Sequence, residues 1–193
     1  MREMAELRMT AETAAELNTK SKSGLGVQDL ILIAVLLAAG AVLKLTLASV
    51  LSFAGMKPNF VIAMYCLAII LTRPKPYQSI AIGLIAGVMC QIPMLNATPL
   101  VNIPSELLGA LVAGLLIYVP MHLGKKADVG PFVTTLLSTI ASGYTFALIV
   151  GLMNGVAVPA IMVMYAPMVL GTAVFNSVLV QILVLPLRKV LKR

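Results

Sequence analysis

The sequence predicts an all-α, polytopic membrane protein with six transmembrane helices and both termini in the cytoplasm. Hydrophobic residues make up 60% of the 193-residue chain, charged residues only 11%, and the mean hydropathy is +1.02. Soluble domains carry about a quarter charged residues, so these charges are too few to cover a water-facing surface. The apolar runs are long and continuous, whereas a transmembrane β-barrel shows short alternating segments.

Residues 1–27 are predicted to form a cytoplasmic tail and residues 28–193 a single membrane domain. The tail alternates acidic and basic residues and lacks the apolar core that a cleavable signal peptide needs. The net charge of +7 does not indicate nucleic acid, because the basic residues lie between apolar segments and not on one face. Cys66 and Cys90 lie inside apolar runs and are predicted to be small buried hydrophobic residues.

The first apolar segment runs from about Gln28 to Phe53 and contains one charge, Lys44. A lysine at the centre of the bilayer costs roughly 2.5–3.5 kcal/mol. Lys44 therefore either extends its ammonium group to the membrane surface or faces the interior of the bundle. Ala34 and Ala38 lie on one face of this helix, and small residues at this spacing let a second helix approach closely.

The second segment, Phe60 to Leu71, is short. As a helix it reaches only about 18 Å, less than the roughly 30 Å of the hydrocarbon core. It either spans the bilayer with help from Asn59 and Thr72 or re-enters on the same side. The later segments are predicted at about Tyr77–Leu95, Ser105–Leu123, Pro131–Met153 and Ala160–Leu187.

The distribution of basic residues decides between these topologies. If all six segments span, every one of the 14 basic residues except Lys44 and Lys57 lies on the same side. The positive-inside rule assigns that side to the cytoplasm. If the second segment re-entered, Arg73 and Lys75 would join Lys57 on the outside, so the charge pattern favours six spans.

The sequence lacks the residues of common catalytic and ion-driven sites, and no enzyme, cofactor or metal site is predicted. The one histidine, His122, is not part of an H-E-x-x-H motif, and no phosphate-binding G-x-x-x-x-G-K-[ST] loop is present. Glu106 is the only acid that qualifies as a buried acid, whereas a proton or ion pathway usually contains several. We therefore expect a protein that binds a solute without a motor of its own.

Polar side chains gather toward the predicted outer side. Individually they have structural explanations: Lys57 is an interfacial anchor, and Glu106 complements the dipole at the start of its helix. Hydroxyls of the fifth segment bond to their own helix or join neighbouring helices. Together they describe a small pocket for a polar or zwitterionic solute, in which Lys57 meets a carboxylate and Glu106 or a nearby amide meets an N–H group. The predicted binding residues are Lys57, Asn59, Gln91, Asn96, Asn102, Glu106, Tyr144 and Asn176.

Four stretches resemble the substrate-binding S components of energy-coupling factor (ECF) transporters, most closely the tryptophan-type family. The stretch Gly55–Tyr65, which begins Gly-Met-Lys-Pro-Asn, is moderately specific. The Ala34 and Ala38 pair, residues 91–109 and the last helix from Leu170 onward add to the likeness, which covers about residues 28–193.

The resemblance implies a subunit in the bacterial cell membrane that captures a small solute from outside. Its partners would be a transmembrane coupling protein and two cytoplasmic ATPases, with Ala34 and Ala38 packing against the coupling protein. Release would involve rotation of the whole S component in the membrane. The second outer loop, Asn102 to Glu106, is less charged than is typical of tryptophan-type members, so another amino acid or a vitamin stays open as the substrate. A self-powered secondary transporter or a membrane scaffold without a solute would also be compatible with this sequence.

Overall fold

The computed structural model describes residues 24–46, 50, 58–92, 98–123 and 127–192, so most of the predicted tail lies outside the described residues. Within them the chain is helical, as predicted, except for a short hairpin in which His122–Leu123 pairs antiparallel with Ala127–Asp128. A 3-10 turn at Pro99–Val101 precedes the fourth helix. The six α-helices are α1 Val27–Thr46, α2 Val61–Thr72, α3 Pro76–Met89, α4 Asn102–Leu116, α5 Gly130–Met153 and α6 Val158–Val190.

Four helical segments in the described part of the chain are long and apolar enough to cross a membrane. They are Val27–Thr46, Pro99–Leu116, Gly130–Met153 and Val158–Val190, while α2 and α3 are apolar but shorter. The chain is thus a multi-pass membrane protein, and the count of six spans stays a prediction.

The short helix α2 forms the centre of the bundle. Every residue from Val61 to Leu71 is buried, and α2 contacts each of the other five helices. A helix that is apolar on all sides is typically buried on all sides. Because α2 is enclosed by protein, its length does not have to match the hydrocarbon thickness, which accounts for a segment of only 12 residues.

The surface and the interior have the polarity expected of a protein in lipid. Large apolar side chains are exposed on the outer faces of α1, α3 and α6, among them Val35, Ile85 and Ile182. The interior instead holds polar side chains, which in a membrane almost always face the bundle or a cavity. The buried polar set is Lys44, Ser79, Asn102, Ser105, Glu106, Thr134, Thr135, Ser138, Thr139, Ser142, Thr172, Asn176 and Ser177.

Two glycines bring α4 against its neighbours. A Cβ atom at Gly83 of α3 would lie 2.6 Å from the backbone oxygen of Glu106 and from the side chain of Ala110. A Cβ at Gly109 would collide with the Tyr65 hydroxyl of α2. Close approach of α4 to both helices places Glu106 deep inside the bundle, where it is 0% exposed.

Helix α4 begins three residues earlier than the sequence predicted, at Asn102 and not at Ser105. Pro104 is then its third residue, where a proline is tolerated because the first four N–H groups of a helix have no intrahelical partner. Glu106 consequently lies beyond the first turn, which contains no acidic residue. Helix α3 ends at Met89, earlier than the predicted Leu95.

Candidate functional site

A small cavity lies among α1, α2, α4, α5 and α6. It is near the end of the bundle where α1 ends and where α2 and α4 begin. Its volume is about 40 Å³, room for about three water molecules. The lining is polar on one part and apolar on the other, as in many small-molecule sites. The polar residues are Lys44, Asn59, Asn102, Ser105, Thr139, Ser142 and Thr172, and the apolar ones are Ile62, Gly143, Phe146, Met168 and Val169.

Asn59 connects this cavity to the buried carboxyl group of Glu106. The amide Nδ2 of Asn59 donates a hydrogen bond to Glu106 Oε1. A carboxylate can only accept hydrogen bonds, so the contact fixes the orientation of the Asn59 amide. Its oxygen, Oδ1, is buried and has no hydrogen-bond partner among the described residues.

The carboxyl group of Glu106 lies among other polar groups of the core. The hydroxyls of Tyr65 and Ser142 lie beside it. Neither Glu106 Oε2 nor the Tyr65 hydroxyl, however, has a described partner at standard hydrogen-bond geometry. Buried polar atoms are usually satisfied, so this cluster has spare capacity for a further polar group.

Asn176 of α6 completes the set of buried amides. Its Nδ2 donates to the backbone oxygen of Asn59 at 3.1 Å and to Thr139 Oγ1 at 3.4 Å. These bonds join α6 to α5 and to the residue preceding α2. Its Oδ1, like that of Asn59, is buried with no described partner.

Asn102 lies at the start of α4 and lines the same cavity. Its Nδ2 donates to the backbone oxygen of Pro99 at 3.1 Å, which fastens the 3-10 turn to the helix. Asn59, Asn102, Glu106 and Asn176 therefore lie in one region of the bundle, and their binding of a solute stays a prediction.

Of the other four predicted binding residues, the two that are described, Gln91 and Tyr144, do not line this cavity. Gln91 donates to the backbone oxygens of Gly87 and Pro99, at 2.8 and 2.9 Å, and so ties the end of α3 to the 3-10 turn. Tyr144 packs beside the apolar cluster of α5 and α6. Lys57 and Asn96 lie outside the described residues, so their roles stay predictions.

Lys44 is the charged residue of the cavity lining, and the prediction of binding residues did not include it. It lies on the buried face of α1, only 2% exposed, and lines the cavity. Its Nζ donates to Cys90 Sγ at 3.5 Å. The periodicity of α1 contains the signal: Ile33, Leu37, Gly40 and Lys44 recur at intervals of three or four and form one stripe.

The hydroxyls of α5 divide between structural and cavity positions. Thr135 and Thr145 bond to backbone oxygens of their own helix, which is the structural explanation expected from the sequence. Ser138 donates to the Gly109 oxygen of α4 at 2.7 Å and so joins two helices. Ser142 instead lines the cavity.

An apolar groove of about 270 Å³ adjoins the cavity, between the start of α2 and the middle of α6. Met168 and Thr172 line both spaces. The rings of Phe60 and Phe175 lie in the groove with their centroids 5.1 Å apart and tilted by 56°. A polar cavity next to an aromatic groove suits a solute with a polar head and an apolar ring.

The described part of the chain contains no cluster of three or more His, Cys, Asp or Glu side chains that could hold a metal ion. The side chains around the cavity and the groove offer recognition by hydrogen bonds, charge and apolar contact.

Comparison with known proteins gives one match. A family model described as "Tryptophan transporter TrpP" matches residues 26–192, which include all six helices. No curated protein and no solved structure matches the chain.

Proposed function

Because the chain belongs to the tryptophan transporter TrpP family, we propose that it is the substrate-binding S component of an ECF-type importer. It captures tryptophan, or a related amino acid, on the outer side of a bacterial cell membrane. A coupling protein and two cytoplasmic ATPases then drive its delivery inward. The observation that carries this proposal is the cavity lined by Lys44 and Asn59. Asn59 Oδ1 and, beside Asn59, Glu106 Oε2 and Asn176 Oδ1 are buried without described hydrogen-bond partners.

The proposed site divides the substrate into two parts. The cavity takes the amino-acid head group, whose charged and polar atoms displace the few water molecules for which there is room. The groove lined by Phe60 and Phe175 takes the aromatic side chain. Met168 and Thr172 line both spaces, and this proximity supports the arrangement.

The predicted binding residues have different roles in the proposed site. Four residues surround the head group, either in direct contact with it or through a hydrogen bond to another member of the set: Asn59, Asn102, Glu106 and Asn176. Lys57, which directly precedes Pro58 of the groove, and Asn96 would approach from the outer loops. Gln91 would act by holding the loop between α3 and α4, and Tyr144 by packing α5 against α6.

The proposed energy source is a separate module, since the sequence has no nucleotide-binding motif of its own. Ala34 and Ala38 are both exposed on the outer face of α1. Small residues on a lipid-facing helix allow close approach of a second helix. This supports their proposed role as the contact with the coupling protein.

The proposed topology has six spans with both termini in the cytoplasm. The end of the bundle that carries Arg73, Lys75 and Arg188 then faces the cytoplasm, and the cavity lies toward the outer side of the membrane. The burial of α2 on all sides supports counting it as a span, because a central helix need not meet lipid.

Ligand binding by the purified protein and uptake by the complete transporter test the proposal. L-Tryptophan should raise the melting temperature, since a ligand at about 100 times its Kd adds about 2.7 kcal/mol of stability, while L-serine and L-lysine should not. Uptake into proteoliposomes should require the coupling protein, both ATPases and ATP. Absence of any binding of L-tryptophan contradicts the proposed substrate. Uptake driven by a proton gradient without the ATPases favours a secondary transporter.

A further inference from the structure

Lys44 is a buried cation without a counter-ion at bonding distance among the described residues. Its side chain is 2% exposed, and its hydrogen bond to Cys90 Sγ, at 3.5 Å, involves only a weak acceptor. A buried charge is costly unless it is paired and hydrogen-bonded. The arrangement therefore has a place for an anion next to the Lys44 ammonium group.

Glu106 does not provide that anion directly. It is close enough to Lys44 to interact electrostatically, but the two form no ion pair within 4.0 Å, and its Oε1 is used by Asn59. The two opposite charges are thus held apart, with Asn59 between Glu106 and the cavity.

Asn59, which lines the cavity, offers an acceptor in its amide oxygen. Glu106 holds the Asn59 amide nitrogen, which leaves Oδ1 without a partner among the described residues. An ionised Glu106 behind the amide would favour a cation in front of it, because Coulomb interactions are strong in an interior of low dielectric constant.

We propose that Lys44 binds the carboxylate of an α-amino acid and that Asn59 Oδ1, positioned by Glu106, accepts a hydrogen bond from its ammonium group. The inference rests on the proposed function and assigns the cation of the site to Lys44 and not to Lys57. It places the two charges of a zwitterion between the two separated charges of the protein. Lys44 Nζ and Asn59 Oδ1 then both gain a partner when the substrate binds.

Binding of three ligands to the full-length protein in detergent tests this assignment. The ligands are L-tryptophan, tryptamine, which lacks the carboxylate, and indole-3-propionate, which lacks the amine. The wild-type protein should bind L-tryptophan at least tenfold more tightly than tryptamine. Lys44→Met should weaken binding of L-tryptophan at least tenfold and that of tryptamine less than threefold, so that the preference disappears.

Two further variants complete the experiment. Lys189→Met removes an exposed lysine at the other end of the bundle and should keep the wild-type preference. Lys57→Met tests the competing assignment. Loss of the preference in Lys57→Met with its retention in Lys44→Met overturns the proposal.

The remaining outcomes are also decisive. If Lys44→Met reduces the affinity for all three ligands equally, the assignment is overturned, since this result indicates a structural role for the lysine. If Lys44→Met does not fold, the wild-type series still decides: binding of tryptamine as tight as that of L-tryptophan overturns the proposal. A wild-type protein that binds none of the indole compounds refutes the proposed function itself, which is a distinguishable result.

Discussion

Asn59 and Glu106 are joined by a side-chain hydrogen bond across 47 positions of the chain, from the residue before the turn into α2 to the buried face of α4. The bond connects a residue that lines the cavity with a carboxyl group that is fully enclosed. In the proposed site, this bond allows a buried acid to influence a solute that it does not touch.

The first prediction concerns variants that remove the carboxylate from position 106 or transfer it to position 59. Glu106→Gln should weaken binding of L-tryptophan by about tenfold, because a hydrogen bond to a charged group contributes about 1.5–3 kcal/mol. The double variant Asn59→Asp with Glu106→Gln should recover most of the affinity, since the charge then faces the cavity. Calorimetric titration measures both.

The single variant Asn59→Asp is the control for this experiment. It places two carboxyl groups at hydrogen-bond distance, and like charges that share a site disfavour the folded, ionised state. Its melting temperature should fall below that of the double variant. Equal stability of the two would show that Glu106 carries no charge that matters to this contact.

The groove next to the cavity gives the second prediction. Gly171 lines the groove, and a Cβ atom there would meet no other atom within 4 Å. Gly171→Leu should therefore fill the groove without disturbing the fold and weaken binding of L-tryptophan at least tenfold. Ala160→Leu, at an exposed position of the same helix, should leave affinity unchanged. Unaltered binding in Gly171→Leu would show that the aromatic ring of the ligand does not occupy this groove.

Close packing of α4 on α2 gives the third prediction. In Gly109→Ala the new methyl group meets the Tyr65 hydroxyl and, at 2.9 Å, Ser142 Cβ. Overpacking of this kind costs about 1–3 kcal/mol, so the free energy of unfolding in detergent should fall. Gly171→Ala is the matched control and should be neutral or stabilising, because alanine has the higher helix propensity. Equal effects of the two variants would argue against a tight α2–α4 contact.

The six-span topology gives the fourth prediction. Both native cysteines, Cys66 and Cys90, are buried, so a membrane-impermeant maleimide should not label the unmodified protein. We expect Lys57→Cys to be labelled in intact cells, and Lys75→Cys and Lys125→Cys only after permeabilisation. Labelling of Lys75→Cys in intact cells would indicate that α2 does not cross.

The exposed alanines of α1 give the fifth prediction. Replacing Ala34 and Ala38 by leucine should abolish ATP-driven uptake by the assembled transporter and keep the Kd for L-tryptophan within threefold. The added side chains point away from the cavity and hold a partner helix at a distance. Ala81→Leu, at an exposed position of α3, should retain uptake. Continued uptake in the double variant would show that α1 does not form the proposed interface with the coupling protein.

The positions of the helices were predictable because they depend on local composition. Each predicted segment coincides with a helix, although α3 ends six residues before the predicted Leu95 and α4 differs at both ends. Helix α4 begins three residues before the predicted Ser105 and ends seven residues before the predicted Leu123. Proline and asparagine signals around Asn102 were ambiguous, since both residue types occur just before a helix and within its first turn.

The sequence by itself determined that the chain lies in a membrane, how many apolar segments it has and which residues share a helix face, because hydropathy and helical period are local properties. Only the tertiary structure decided that Lys44 faces inward, that α2 is enclosed and that Glu106 reaches Asn59. Contacts such as that of Asn176 with Asn59 join residues 117 positions apart. They depend on the rotation of each helix about its axis and on the close approach that Gly83 and Gly109 allow, and neither follows from a single segment.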